Sequence, residues 1–365
     1  MTDSNQEKEY NMHPALPDSP ERRKFVKTAL VAAGGAALSV TGAHQVFAST
    51  GNASNLVELQ AVDLAKAIRS RQVSCKEVMQ AYLAQIDRYN PKVNAIVSLQ
   101  NRDGLLRQAE ERDNQLTKGQ YLGWMHGFPQ APKDLAETAG IVTTMGSPIF
   151  KDHIPKTDAI IVERARRSGA ILIGKTNCPE FGLGSHTYNT VFGTTYNAYD
   201  QTKTAGGSSG GAAVSLALRM LPVADGSDMM GSLRNPAAYN NVFGFRASPG
   251  RVPFGPTNEV FFQQFGYEGP MARTVTDLAM LLSVQAGFDD RTPLSLNADP
   301  SIFRQSLQRD FKGARIGWLG DFNGYLPMEA GVMELSQEAL KNFETVGAKV
   351  EDAQSGFDMA SLWKA

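Results

Sequence analysis

The strongest constraint on this 365-residue chain is a mid-chain stretch where glycine and serine replace the bulky side chains that a core needs. Many of its 34 glycines fall between Gly206 and Gly255. Glycine gathered this way marks backbone that approaches another group closely or takes positive φ. The flanking sequence has the patterns of rigid elements that could frame such a stretch. Residues 59–90 predict two amphipathic helices, one carrying Leu64, Ala67 and Ile68, the other Val78, Tyr82 and Ile86. Ser74, three residues before Glu77, marks a capping box between them. A strand is expected at 93–99, a helix at 103–118, a helix at 158–168 and an apolar strand at 170–173. A small-residue helix at 208–218 leads to a short strand at 223–224, and a further helix covers 275–287. Strand 315–319, helix 329–346 and strand 348–350 close the series. Strands alternating with helices predict an α/β fold, a mixed and largely buried β-sheet flanked by helices, with no linker to split it.

Charge narrows the function. Lys+Arg 36 nearly balance Asp+Glu 37, and a nucleic-acid partner needs a basic face to neutralise phosphates. Composition therefore argues against one. Cys75 and Cys178 lie far apart, without CxxC or HExxH spacing, and only five histidines accompany them. No metal site is predicted from such a set. Both cysteines read as small buried apolar side chains, with a single disulfide as the alternative in an oxidising compartment.

Three glycine motifs compete for the active site. Gly169-Ala-Ile-Leu-Ile-Gly174-Lys175-Thr176 matches the phosphate-loop pattern. Its variable residues, however, are those of a buried strand, whereas a phosphate loop needs free N–H groups turned inward. Gly206-Gly207-Ser208-Ser209-Gly210-Gly211 contains G-x-S-x-G twice, the nucleophile elbow of α/β-hydrolases. An elbow follows a strand, and 201–205 is polar. It also needs a downstream histidine, and none follows His186. The third reading joins that loop to Gly226-Ser227-Asp228-Met229-Met230-Gly231-Ser232-Leu233-Arg234-Asn235-Pro236-Ala237. Ser208 and Ser232 stand 24 residues apart, enough for a helix and a return strand to bring both loops together.

The segment 204–253 of which these loops are part resembles the amidase signature. The resemblance extends upstream through Gly127-Phe-Pro-Gln-Ala-Pro-Lys133-Asp134-Leu135 and Gly174-Lys-Thr-Asn-Cys-Pro-Glu-Phe181. Downstream it continues through Gly269-Pro-Met-Ala-Arg273-Thr-Val-Thr-Asp277, so it covers most of the chain from about residue 59 onward. It implies the amidase-signature fold and an amidase that cuts a carboxylic amide C–N bond through an acyl-enzyme. Ser232 is then the nucleophile, Ser208 the bridging serine and Lys133 the base. The chemistry is sensible, because serine needs an adjacent base and lysine is a base only when neutral, which burial favours. The N–H groups from Met229 through Met230 and Gly231 to Ser232 are the implied oxyanion donors. Met230 stands where the family usually has glycine, and it is expected to reshape the acyl pocket. Ala247 stands where the family often has proline. Asp228 and Arg234 are expected to hold the loop by hydrogen bonds. An esterase or carbamoyl hydrolase on the same triad, or an inactive relative, is the alternative. No cofactor is implied.

Met229, Met230, Tyr239, Phe261, Phe262 and Phe265 are candidates for an apolar pocket, which would favour small-molecule aryl or alkyl amides as substrates. Residues 1–48 read as an export signal. Arg22-Arg23 with Phe25 and Lys27 resembles the twin-arginine type, an Ala/Gly-rich run follows, and cleavage is expected after Ala48. The twin-arginine export machinery is then a transient partner, and residues 49–365 form a periplasmic or secreted amidase domain. Residues 357–365 read as helix interior without a cap, short of the usual end of the family. The expectation is a domain lacking its C-terminal part, with an exposed sheet edge. Reduced or absent activity is expected with it, which turnover of benzamide by residues 49–365 would refute.

Overall fold

A computed structural model describes residues 53–257, 259 and 265–364. The export segment 1–48 and the pair Phe261 and Phe262 lie outside the described residues. Three helices come first: α1 (Ala53–Glu58), α2 (Ala61–Arg69) and α3 (Cys75–Val93). Helix α2 buries Leu64, Ala67 and Ile68, the stripe that its periodicity marks. Each fully buried aliphatic side chain of this kind contributes roughly 1.5–3 kcal/mol. Helix α3 begins at the capping box, with Glu77 N–H donating to Ser74 Oγ and Ser74 N–H donating to the Glu77 carboxylate. It runs past Asn90, where the sequence predicts its end, through Pro91 to Val93. Proline removes one helical hydrogen bond, a small loss in a final turn that closes on Asn94 in the left-handed region.

Next come β1 (Ile96–Val97), α4 (Arg102–Thr117), β2 (Pro129–Gln130), α5 (Ile160–Arg167), β3 (Ile171–Leu172) and β4 (Lys175–Thr176). The apolar run 170–173 sits in the middle of a mixed layer. Strand β3 pairs in parallel with β2, and β4 pairs antiparallel with β1. The parallel pairing continues beyond β2, where Thr176 N–H donates to the Pro132 carbonyl and Asp134 N–H to the Thr176 carbonyl. Lys133 therefore leaves the sheet from backbone that is held on both sides.

A hairpin of β5 (Tyr188–Asn189) and β6 (Gly193–Thr194) precedes the glycine-rich loop. After it come α6 (Gly210–Ala217), β7 (Ala224–Asp228), α7 (Arg234–Tyr239), β8 (Phe243–Gly244) and β9 (Tyr267–Ala272). Strands β7, β9 and β8 pair antiparallel in that order, with Ser227 opposite Glu268. Only the start of β7 is legible in the sequence. Strand β9 contains Glu268-Gly269-Pro270, residue types that a strand disfavours, and its pairing to β7 overrides them. Helix α6 is small because it must be. A Cβ on Gly211 would lie 2.6 Å from the Ala95 carbonyl oxygen and closer still to the Asn177 nitrogen.

The remaining elements are α8 (Val275–Gln285), β10 (Arg315–Trp318), α9 (Val332–Thr345), β11 (Lys349–Asp352) and α10 (Met359–Lys364). Asp277 ties α8 to α2 by accepting the Val62 N–H at 2.8 Å. Strands β10 and β11 pair in parallel around α9. Here the expectation of a buried sheet gives way. Helix α9 buries none of its side chains, and β10 alternates exposed and half-buried residues, because this sheet has two strands. Both cysteines are buried and free, so the disulfide alternative is not realised. Among the described residues, no helix is long and apolar enough to cross a membrane.

Replacing Gly211 by alanine is expected to lower unfolding stability by about 1–3 kcal/mol, the range for overpacking a close-packed interior. Urea unfolding measures it, and an unchanged midpoint would mean that the helix simply retreats from the sheet.

Candidate active site

Lys133 is buried, 1% exposed, three residues beyond β2 at a bridge to Thr176. Its Nζ lies 2.7 Å from Ser208 Oγ, 2.9 Å from Ser209 Oγ and 2.9 Å from Ser227 Oγ. Burial disfavours the ammonium and pulls the Lys133 pKa down to about 8, against opposing pulls from Cys178, Asp225, Asp228 and Glu268. A neutral amine has two N–H donors and one lone pair. The Ser209 hydroxyl donates to the Ser227 carbonyl at 3.2 Å, so towards Lys133 it accepts. The lone pair is left to the hydroxyl proton of Ser208 or Ser227. The lysine backbone is anchored as well. Its N–H donates to Asp225 Oδ2 at 3.0 Å, while Asp225 Oδ1 accepts from Gln130 Nε2 at 2.7 Å.

The second loop arrives beside the first. Ser209 N–H donates to the Ser232 carbonyl at 3.1 Å, and Ser232 lines the same cavity as Lys133 and Ser208. Asp228 organises this loop, as expected. Its carboxylate accepts from Gly231 N–H at 2.9 Å, Leu233 N–H at 3.1 Å, and both Nε and Nη2 of Arg234 at 3.0 Å. Burial alone would raise the Asp228 pKa, but these donors hold it below the usual carboxylate range.

Of the candidate oxyanion donors, Gly231 N–H is therefore already engaged by Asp228. Gly231 also takes the positive φ of the turn, 115°, and Met230 does not. The methionine side chain is 68% exposed and lies outside the residues that line the cavity. Met230 is thus not among the described residues that shape the cavity. An L-residue fits there because the left-handed step falls on its neighbour.

The cavity measures about 760 Å³, within the range of small-molecule sites. Met229 and Phe265 line it as expected, whereas Tyr239 instead lies against Gly206. Leu135 and Phe181, from two segments that the resemblance marks, complete its apolar walls with Leu183 and Phe254, which lie outside the quoted motifs. Ser209, Ser227 and Glu268 are the polar groups that sequence reasoning missed. The alternation Asp225-x-Ser227 on one strand face was the available signal for the second of them. The competing motifs resolve into structure. Lys175 is buried, with Nζ donating to the Ala136 carbonyl and to Thr138 Oγ1, and 171–172 is a strand, so no phosphate loop forms. His186 contacts Thr204 and His126 contacts the Arg112 carbonyl, which leaves the serines without a histidine partner among the described residues.

The amidase family model matches residues 77–357. The chain belongs to the amidase signature family. One relative is an acylamidase of Rhodococcus erythropolis, 35% identical over 311 residues, which are 85% of this chain and 65% of the relative. Another comes from the glutamyl-tRNA(Gln) amidotransferase of Acidothermus cellulolyticus, of which it forms one subunit. It is 38% identical over 301 residues, 81% of this chain and 58% of that one. Among solved structures, a bacterial aryl acylamidase of the amidase signature family superposes with a TM-score of 0.78 at 33% identity, over 84% of this chain and 63% of its own. The peptide amidase of Stenotrophomonas maltophilia gives a TM-score of 0.69 at 30% identity, over 81% and 62% respectively. The chain thus spans less than two thirds of the length of each of these relatives.

Asp228→Ala would leave the Gly231 and Leu233 N–H groups without their acceptor. It is expected to lower stability by about 1–3 kcal/mol, the cost of stranding buried donors. Urea unfolding reads the loss, and Arg234→Ala, which removes a half-exposed partner, should lose less.

Proposed function

We propose that this chain is an amidase that hydrolyses a carboxylic amide through Ser232, Ser208 and Lys133. The observation that carries the reading is the buried Lys133 amine, brought near neutrality and set 2.7 Å from Ser208 Oγ. Ser232 Oγ attacks the carbonyl carbon, and its proton passes through Ser208 Oγ to Lys133 Nζ. Charge on the carbonyl oxygen meets N–H groups of the 229–232 turn, with Gly231 N–H excluded by its bond to Asp228. Collapse breaks the C–N bond, and the proton returns by the same path to the leaving amine. Water then attacks the acyl-Ser232 ester and gives its proton to Lys133 through Ser208, and that proton returns to Ser232 Oγ as the ester C–O bond breaks and the acid leaves.

The acylamidase and peptide amidase relatives support amide hydrolysis. The export-type pattern at residues 21–49 favours a free-standing periplasmic or secreted hydrolase over a component of an amidotransferase. Replacing Arg22 and Arg23 together by lysine is expected to retain the protein in the cytoplasm, read by cell fractionation. Periplasmic recovery of that variant would remove the export argument.

A fluorophosphonate should label the chain at Ser232, with the adduct located by mass spectrometry. Lys133→Ala should slow labelling by about a hundredfold or more, the usual contribution of a general base. The rate should rise with pH and level off above about 8, since below that value Lys133 is an ammonium and cannot accept a proton. Glu268 titrates in the same range, so the observed midpoint belongs to the two groups together. An unlabelled Ser232 would overturn the assignment.

A further inference from the structure

Glu268 lies on β9 directly opposite Ser227, and directly opposed residues of an antiparallel pair project from the same face of the sheet. Ser227 is one of the three hydroxyls around Lys133, so Glu268 faces the reaction centre from the neighbouring strand. Its side chain lines the cavity, yet it is only 6% exposed and its Oε2 has no hydrogen-bond partner. An unpartnered buried carboxyl is unfavourable and calls for a donor.

Among the described residues the protein supplies none. The charged groups near Glu268 are Asp225, Lys175, Lys133 and Arg164. Lys175 is held by Ala136 and Thr138, and Lys133 by its three serines. Arg164 is turned to the carbonyls of Gln285, Gly287 and Phe288 and to Asp289. The cavity is lined by four acids, Glu137, Asp225, Asp228 and Glu268, and Lys133 is the only base among the described lining residues. Asp228 is matched by Arg234, and Asp225 by Gln130 and the Lys133 N–H. Glu137 has His153 Nε2 at 3.7 Å, and Glu268 is the acid left facing the cavity without a donor among the described residues.

We propose that Glu268 is a specificity-determining residue that binds a primary ammonium group, so that the site selects amides carrying an amine on the same small molecule. This rests on the amidase reading of the cavity. In the empty site, burial and the Asp225 carboxylate push the Glu268 pKa up to about 8, which keeps it protonated at neutral pH. An arriving ammonium provides the counter-ion, the carboxyl proton leaves to solvent, and a charge-assisted hydrogen bond forms at a buried carboxylate.

Binding tests this without chemistry. In the Ser232→Ala background, calorimetry compares ω-aminoalkanamides, from glycinamide to 6-aminohexanamide, with alkanamides of matching length. At one length the amino compound should bind about tenfold tighter or more, the scale of a hydrogen bond to a charged group. Glu268→Gln should abolish that preference and leave the neutral amide's Kd unchanged. Glu268→Asp should keep the preference and move it to a longer chain. Equal affinity within every pair, or a preference that survives Glu268→Gln, would overturn the proposal. So would a Glu268→Gln variant that loses neutral-amide binding as well, because that marks a structural role. Fluorophosphonate labelling of the unsubstituted chain separates the two ideas. Ammonium preference without label at Ser232 overturns the amidase reading alone, and label without preference overturns this one alone.

Discussion

Moving an ammonium from water into a protein interior is strongly unfavourable, and a buried lysine answers by giving up its proton more readily. At Lys133 the fold creates that situation deliberately. The backbone is pinned between the β3–β4 segment and Asp225, and three hydroxyls surround the amine, with no carboxylate of the described residues in direct contact with it. Hydroxyls satisfy the amine in either protonation state, because each can donate or accept. A carboxylate in their place would hold the proton and raise the pKa. The serine cluster gives a buried lysine hydrogen-bond partners whether or not it carries its proton.

Everything else in the site serves to bring two loops to that amine. The glycine-rich loop reaches it because α6 lies almost in contact with the backbone of its neighbours, which no residue larger than glycine at 211 permits. The Ser232 loop reaches it because β7 hands the chain directly from Ser227 to Asp228, whose carboxylate gathers the following turn around itself. Asp228 and Asp225 thus divide the labour. Asp225 holds the lysine backbone and Asp228 holds the residues on either side of Ser232, from positions three residues apart on one strand.

Strand β9 adds the polar character of the cavity floor. By pairing with β7 it places Glu268 beside Ser227, so a carboxyl stands within the field of the lysine without touching it. The apolar walls come from 135, the 181–183 turn, 254 and 265, which are separated in sequence. The cavity therefore combines apolar walls with a buried carboxyl that has no donor among the described residues.

The amphipathic helices, the capping box at Ser74 and the apolar strand at 170–173 were legible in the residues themselves, because periodicity and capping are local properties. So was the serine–glycine pattern of the two loops, since glycine is demanded by the backbone wherever it stands. Strand β9 was not legible, because Glu268-Gly269-Pro270 has no strand propensity and acquires its conformation from β7. Nor was the exposed face of Met230, which depends on the positive φ falling at Gly231. The composition and motifs alone settled which chemical groups are present and which segments are rigid. The burial of Lys133, the three hydroxyls on its amine and the unmatched carboxyl opposite Ser227 arise only when distant segments pack, since desolvation is a property of the surroundings and not of the residue.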